Sequence, residues 1–115
     1  MMKTEFVVHE NETRWGRVWH ILGEGGKGYL KVSYENDDPG TLTLHSLSVY
    51  KDSRGQGLGK LLLQEAEKIG RSMEDVDTLE LAVEKPNDRL VEYYKEEGYQ
   101  VVCEDSEYFY LLKSL

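Results

Sequence analysis

The sequence predicts one domain of the α/β (or α+β) class, built around a central strand–helix–strand unit. Its 115 residues suffice for one domain with one modest core, and no repeat or linker divides residues 1–115. Apolar residues recur at helical spacing in two segments and alternate along most of the others. The resulting order of strands, helix, strand, helix and two strands is typical of a sheet that is covered by helices.

The first third of the chain predicts strands joined by turns. Phe6–Val8 is predicted as a short strand, and Arg14–Leu22 fits either a strand or a helix. The glycine-rich segment 23–28 predicts a turn, and the alternating segment Tyr29–Tyr34 predicts a strand. Residues 35–40, ENDDPG, predict the next turn.

The middle of the chain predicts a bent strand followed by a helix. Leu42 and Leu44 have one parity along the strand, whereas Leu47 and Val49 have the other, so we expect a bulge or a bend between them. An amphipathic helix follows, and its apolar positions are Leu58, Leu61, Leu62, Ala66 and Ile69.

The last third predicts a strand, a helix and two strands. Thr78–Val83 is the first strand, and residues 86–98 have Pro and Asn at the start and Gly at the end, as expected of a helix. Tyr99–Val102 and Tyr108–Leu112 follow as strands, and Cys103 is predicted to be a small buried side chain.

Composition excludes several classes of protein. The formal charge of −8 argues against nucleic acid as a partner, because such binding depends on Lys and Arg neutralising phosphates. No run of eighteen apolar residues and no signal-peptide pattern is present, so we expect neither a membrane span nor export. The single cysteine gives no indication of an oxidising compartment, and the His and Cys residues lack metal-ligand spacing. A cytoplasmic protein without a metal is predicted.

The segment RGQGLGK, Arg54–Lys60, places three glycines at the start of the first predicted helix. Glycine lets the backbone approach an anion closely, and the first turn of a helix offers unpaired N–H groups and partial positive charge. Arg54 and Lys60 add positive charge, so the segment predicts a phosphate-binding loop. It matches neither the P-loop, because Leu61 follows Lys60, nor the dinucleotide pattern, because Lys60 stands where the third glycine should be.

A different pattern fits fully. Residues 54–59 match R/Q-x-x-G-x-G/A, and a second motif follows after the next strand as Asn87, Leu90, Tyr94, Gly98 and Tyr99. With these two motifs the sequence resembles the GNAT (GCN5-related) N-acetyltransferases. The resemblance covers about residues 41–115 and fades before Gly28.

This resemblance implies a fold, a co-substrate and its binding residues. The fold would be a mixed, mostly antiparallel sheet flanked by helices, whose central parallel strands splay apart around acetyl-CoA. Backbone groups of the strand that ends at Val49 would hold the pantetheine arm, and the backbone N–H groups of Gln56–Lys60 would hold the pyrophosphate. Asn87 is equally expected to be a helix N-cap. The implied binding residues are Leu47, Val49, Arg54, Gly55, Gln56, Gly57, Leu58, Gly59, Lys60 and Asn87.

The resemblance also implies catalytic residues. Tyr94 stands where the family has its general acid, whereas adjacent Tyr93 is one residue off the motif and is interpreted as packing. His45 begins HSLSV, which is similar to a stretch of arylalkylamine N-acetyltransferases, and is a candidate base acting through water. Glu80 and Glu84 are alternative bases, and a structural role for His45 stays open.

The predicted acceptor is an amine on a small molecule, a peptide or a protein. The family builds its acceptor groove largely from the segment between its first two strands, and here residues 10–28 leave room for one helix at most. An open site or a groove completed by a second subunit of a homodimer would follow. Trp15 and Trp19 are predicted to pack in the core, with such an interface as the alternative. The function implied is an acetyl-CoA-dependent N-acetyltransferase, with a non-catalytic acyl-CoA-binding module as the alternative.

Overall fold

The computed structural model of the protein describes residues 6–49 and 57–115. These residues form β1 (Phe6–Thr13), β2 (Gly16–Gly23), β3 (Gly28–Glu35), β4 (Thr41–Val49), α1 (Leu58–Arg71), β5 (Thr78–Glu84), α2 (Asp88–Glu96), β6 (Gln100–Glu104) and β7 (Tyr108–Ser114).

The seven strands form one sheet in the order β1-β2-β3-β4-β5-β7-β6. All neighbours are antiparallel except β4 and β5, which run parallel and pair only from Thr41–Thr43 to Thr78–Glu80. Beyond these three pairs the two strands no longer pair, so a gap opens in the middle of the sheet. The mixed, mostly antiparallel sheet with helices confirms the predicted fold class.

Both helices pack on the same face of the sheet, and the core lies between this face and the helices. Leu62 and Ala66 of α1 are buried, as the helical spacing predicts, and Leu63, which that spacing did not include, is buried as well. The other predicted positions are half-buried, namely Leu58, Leu61 and Ile69. The buried residues of α1 meet alternate residues of the strands, while Val91 and Tyr94 of α2 extend the same cluster. On the other face of β2, β3 and β4 the side chains are half-buried or exposed, and neither described helix covers them. We call this second surface the open face.

The N-terminal hairpin differs from the expectation. The strand predicted at Phe6–Val8 continues to Thr13, because β1 pairs with β2 at all eight positions although most of its side chains are exposed. The ambiguous segment 14–22 is strand from Gly16 onward. Trp19 is buried, but the prediction of a buried Trp15 was wrong, since this residue lies in the two-residue turn and is 70% exposed.

Two further details concern the strands. The predicted bulge in β4 is confirmed, because the register with β3 shifts between Tyr29 and Lys31, and Ser46 has a positive φ of 58°. The prediction of a buried Cys103 was wrong, because β6 is an edge strand and all of its residues are exposed. Neither described helix is long and apolar enough to span a bilayer.

Candidate active site

A cavity of about 590 Å³ lies where β4 ends and the two helices approach it. Its walls come from the end of β4, the first turn of α1 and one side of α2. The lining residues are Leu47, Ser48, Val49, Gly57, Leu58, Gly59, Lys60, Leu90, Tyr93 and Glu97. The structure thus brings together six of the ten predicted binding residues around one space.

The bulge in β4 shapes the first wall. At Ser46 the backbone takes a left-handed conformation, which is uncommon for a residue other than glycine and marks a local constraint. The bulge re-aims the residues after it. Leu47 and Val49 line the cavity after β4 has left its pairing with β5. An extended chain can add to such a strand through backbone hydrogen bonds.

The start of α1 forms the second wall. Gly57 is the N-cap with φ 76°, no side chain caps the helix, and its carbonyl accepts the N–H of Leu61 at 3.1 Å. The N–H groups of the first turn have no intrahelical acceptor, and they carry partial positive charge. No acidic residue lies in this turn, and Lys60 is exposed beside it. The arrangement suits an anion such as a diphosphate. The predicted contacts of Arg54, Gly55 and Gln56 fall outside the described residues.

The third wall is formed by one side of α2 and by the C-cap residue that follows it. Its lining residues are Leu90, Tyr93 and Glu97. Burial, and secondarily the charge of Glu97, raises the pKa of Tyr93. The sequence interpretation of Tyr93 as packing missed its place in the cavity wall. The spacing of these three residues at i, i+3 and i+7 is the signal that could have found it.

Tyr94 faces the core instead. It is 6% exposed, and its ring meets those of Tyr93 and Tyr99 edge-on at centroid distances of 5.4 and 5.6 Å. Burial, and secondarily Tyr93, raises the pKa of Tyr94 to about 12, so its phenol stays protonated at neutral pH. The residue does not belong to the cavity lining, and its role as the general acid stays a prediction.

His45 lies on the open face, one residue before the bulge. Its Nε2 and the Oγ of Ser33 are 2.9 Å apart. Desolvation, and secondarily the charge of Lys31, lowers the pKa of His45, so the ring is neutral at pH 7 and can accept a proton. Of the alternative bases, Glu80 pairs with Thr43 at the edge of the gap. The choice of base stays a prediction.

Asn87 caps α2, and its Oδ1 accepts the N–H of Leu90 at 3.2 Å. The N-cap interpretation is therefore correct, and a contact with a ligand stays a prediction. Among the residues that the structure describes, no cluster of three or more His, Cys, Asp or Glu could hold a metal ion.

Comparison with protein families gives one match that spans most of the chain. The model described as "Acetyltransferase (GNAT) family" matches residues 5–99. Comparison with curated protein sequences gave no match.

Solved structures with similar folds include several acetyltransferases. Nourseothricin acetyltransferase is 18% identical with a TM-score of 0.73, covering 96% of this chain and 86% of its own. The PaiA N-acetyltransferase of Thermoplasma acidophilum, in complex with coenzyme A, is 21% identical with a TM-score of 0.72, covering 85% and 60%. A GNAT family acetyltransferase of Elizabethkingia anophelis with acetyl-CoA bound is 10% identical with a TM-score of 0.72, covering 96% and 98%. At these identities the likeness shows the fold.

Proposed function

The chain belongs to the acetyltransferase (GNAT) family, and from this premise we propose that it transfers an acetyl group from acetyl-CoA to a primary amine. The observation that carries the proposal is the cavity between the end of β4, which lies past the three residue pairs that join β4 to β5, and the glycine-rich start of α1. Such a site offers backbone partners for a pantetheine arm and N–H groups for a diphosphate. Two of the similar structures contain coenzyme A or acetyl-CoA, which supports this choice of donor.

The reaction needs two proton movements. The amine nitrogen attacks the thioester carbonyl carbon, a C–N bond forms and the C–S bond breaks. The nitrogen gives up a proton, which we assign to His45 through a water molecule. The departing sulfur takes one, which we assign to Tyr94. An alkylamine has a pKa of about 10.4, so most of it is protonated at pH 7 and a base is needed to take the proton that the nitrogen loses.

The open face is the proposed side of approach for the acceptor. The hairpin turn between β1 and β2 has two residues, and neither described helix covers this face. His45 lies on it, and Glu80 of the neighbouring β5 lies on the same side of the sheet, beside the gap. An acceptor on a peptide or protein could lie across this surface, and a second copy of the chain could form the opposite wall. The net charge of −8 favours a cationic amine over an anionic substrate.

A non-catalytic acyl-CoA-binding module is the second candidate function. It is favoured by one specific observation, since neither Tyr94 nor His45 belongs to the cavity lining. Both functions require the donor site, and they differ in turnover.

The test measures binding and turnover separately. Titration calorimetry measures the affinity for acetyl-CoA, and release of free thiol is followed with a panel of small amines, peptides and alcohols. Binding with amine-dependent thiol release supports the enzyme, and turnover with hydroxyl acceptors alone would contradict the amine. Binding without turnover on any acceptor would support the module.

A glycine variant tests the site itself. Gly57→Glu places a carboxylate beside the bound diphosphate, and two like charges about 4 Å apart repel by about 4 kcal/mol at an effective dielectric constant near 20. We expect an affinity loss of about a thousandfold. Gly26→Glu is the matched control, because Gly26 has a similar φ of 70°, also has open space around it and does not line the cavity. Equal affinities of the two variants would refute the assignment of the anion site.

A further inference from the structure

The hydroxyl of Tyr93 lies against the first turn of α1. A Cβ built on Gly59, the second residue of that helix, would be 2.7 Å from the Tyr93 hydroxyl oxygen. The next atoms are the ring carbon that bears the hydroxyl at 3.7 Å and a methyl group of Val49 at 3.8 Å. The hydroxyl therefore occupies the space that any side chain at position 59 would need.

This hydroxyl has no hydrogen-bond partner within residues 6–49 and 57–115. The ring is half-buried in the cavity wall, one turn of α2 away from Leu90. A half-buried donor without a partner is suited to a ligand acceptor, because a group shielded from water gains most from a new hydrogen bond.

We propose that Tyr93 determines specificity for the acyl donor. Its hydroxyl donates a hydrogen bond to a diphosphate oxygen of the donor at the start of α1. This inference rests on the proposed function and assigns a task to a residue outside the sequence motifs. It also gives a second reason for the glycine at position 59, which makes room for the phenol as well as for the ligand.

The chemistry of the site supports a donor at this place. Diphosphate oxygens are charged acceptors, and hydrogen bonds to charged groups are about twice as strong as those between neutral groups. Since burial raises the pKa of Tyr93, its phenol keeps its proton and remains a donor throughout the neutral range. Tyr94 is the next residue, but it faces the core and does not line the cavity.

The first experiment compares two ligands. We expect Tyr93→Phe to weaken acetyl-CoA by about ten- to a hundredfold, the range for a hydrogen bond to a charged acceptor. The same variant should bind S-acetyl-pantetheine, which lacks the diphosphate, as the unmodified protein does. Tyr29→Phe, another half-buried tyrosine that does not line the cavity, is the control. Equal losses for both ligands, or no loss for either, would overturn the inference.

The second experiment tests the contact with Gly59. Gly59→Ala alone should lower the melting temperature and weaken acetyl-CoA, because the methyl group meets the Tyr93 hydroxyl. In the Tyr93→Phe background the nearest described atoms outside the backbone of α1 are the ring carbon at 3.7 Å and the Val49 methyl group at 3.8 Å, so the effect of the alanine on both measurements should largely vanish. Additive effects in this double-mutant cycle would show that the phenol does not occupy that space and would overturn the inference.

The outcomes separate the two proposals. If the unmodified protein binds no acetyl-CoA, the proposed function fails and this inference with it. If it binds acetyl-CoA and Tyr93→Phe leaves the preference for acetyl-CoA over S-acetyl-pantetheine unchanged, the inference alone fails. If Gly59→Ala does not fold, the ligand comparison on Tyr93→Phe still decides.

Discussion

Replacing Tyr94 with phenylalanine removes one hydroxyl from the aromatic cluster of α2. The ring is 6% exposed and packs edge-on against Tyr93 and Tyr99, and these contacts involve the ring, which phenylalanine keeps. We therefore expect the fold and the affinity for acetyl-CoA to be nearly unchanged. If the hydroxyl protonates the leaving sulfur, turnover should fall by about 10²–10⁴-fold, the usual contribution of a general acid.

The raised pKa adds a pH signature. The pKa of Tyr94 is about 12, so its phenol stays protonated at pH values above the ordinary tyrosine pKa of about 10. At pH 10 an unperturbed tyrosine is about half ionised, whereas this one is about 1% ionised. The turnover number should therefore stay level from pH 8 to 10 and decrease only as the pH approaches about 12.

The assay is thiol release at saturating acetyl-CoA and acceptor, with thermal unfolding followed in parallel. Tyr99→Phe is the matched control, because it removes a hydroxyl from the same cluster, and that hydroxyl is buried without a hydrogen-bond partner in the described part of the chain. Its turnover should be unchanged. Full activity in Tyr94→Phe, or a turnover number of the unmodified protein that falls with an apparent pKa of about 10, would refute the assignment of the acid.

Two further predictions concern the base and the core. His45→Ala should lower kcat/KM by about 10²-fold at pH 7. Because the pKa of His45 is lowered, kcat/KM of the unmodified protein should fall with decreasing pH only below about 6.5. This decrease should be missing in the variant, and an unchanged decrease would point to Glu80 or water as the base. Lys113→Met should destabilise the fold by about 2–3 kcal/mol in urea unfolding, because it leaves the carboxylate of Glu67, 9% exposed, without its closest cation. Adding Glu67→Gln should recover most of that loss, and a double variant as unstable as the single one would contradict this account.

The elements that the sequence predicted well are those whose stability is local or periodic. The helices have apolar positions every three to four residues and end signals such as Asn87 and Gly98. The bulge in β4 left a visible change of parity between Leu44 and Leu47. The exposed part of β1 carried no such signal, because its residues are held by backbone pairing with β2 rather than by burial. Trp15 and Cys103 were wrongly predicted to be buried, because the hydrophobicity of a residue does not reveal that it lies in a turn or on an edge strand.

The candidate site was predicted in part. The glycines at the start of α1 indicated where a cavity would lie, because glycine lets the backbone take conformations that open space for a ligand. That an anion binds there stays a prediction. The sequence could not show which of the two tyrosines of α2, Tyr93 or Tyr94, lines the cavity. One residue along a helix turns the side chain by about 100°, and the sequence does not tell which direction faces the cavity. The approach of α2 to Gly59 is a tertiary contact that only the assembled structure provides.

The open face has a consequence for how this protein can change. Along β2, β3 and β4, residues that support the core alternate with residues that face outward, as Leu30 and Val32 alternate with Lys31 and Ser33. Substitutions at the outward positions alter a surface while the inward contacts persist, and such changes usually shift stability by less than about 0.5 kcal/mol. Natural variation or directed evolution can therefore alter the surface that we propose binds the acceptor, one alternate position at a time, without first acquiring compensating mutations in the core.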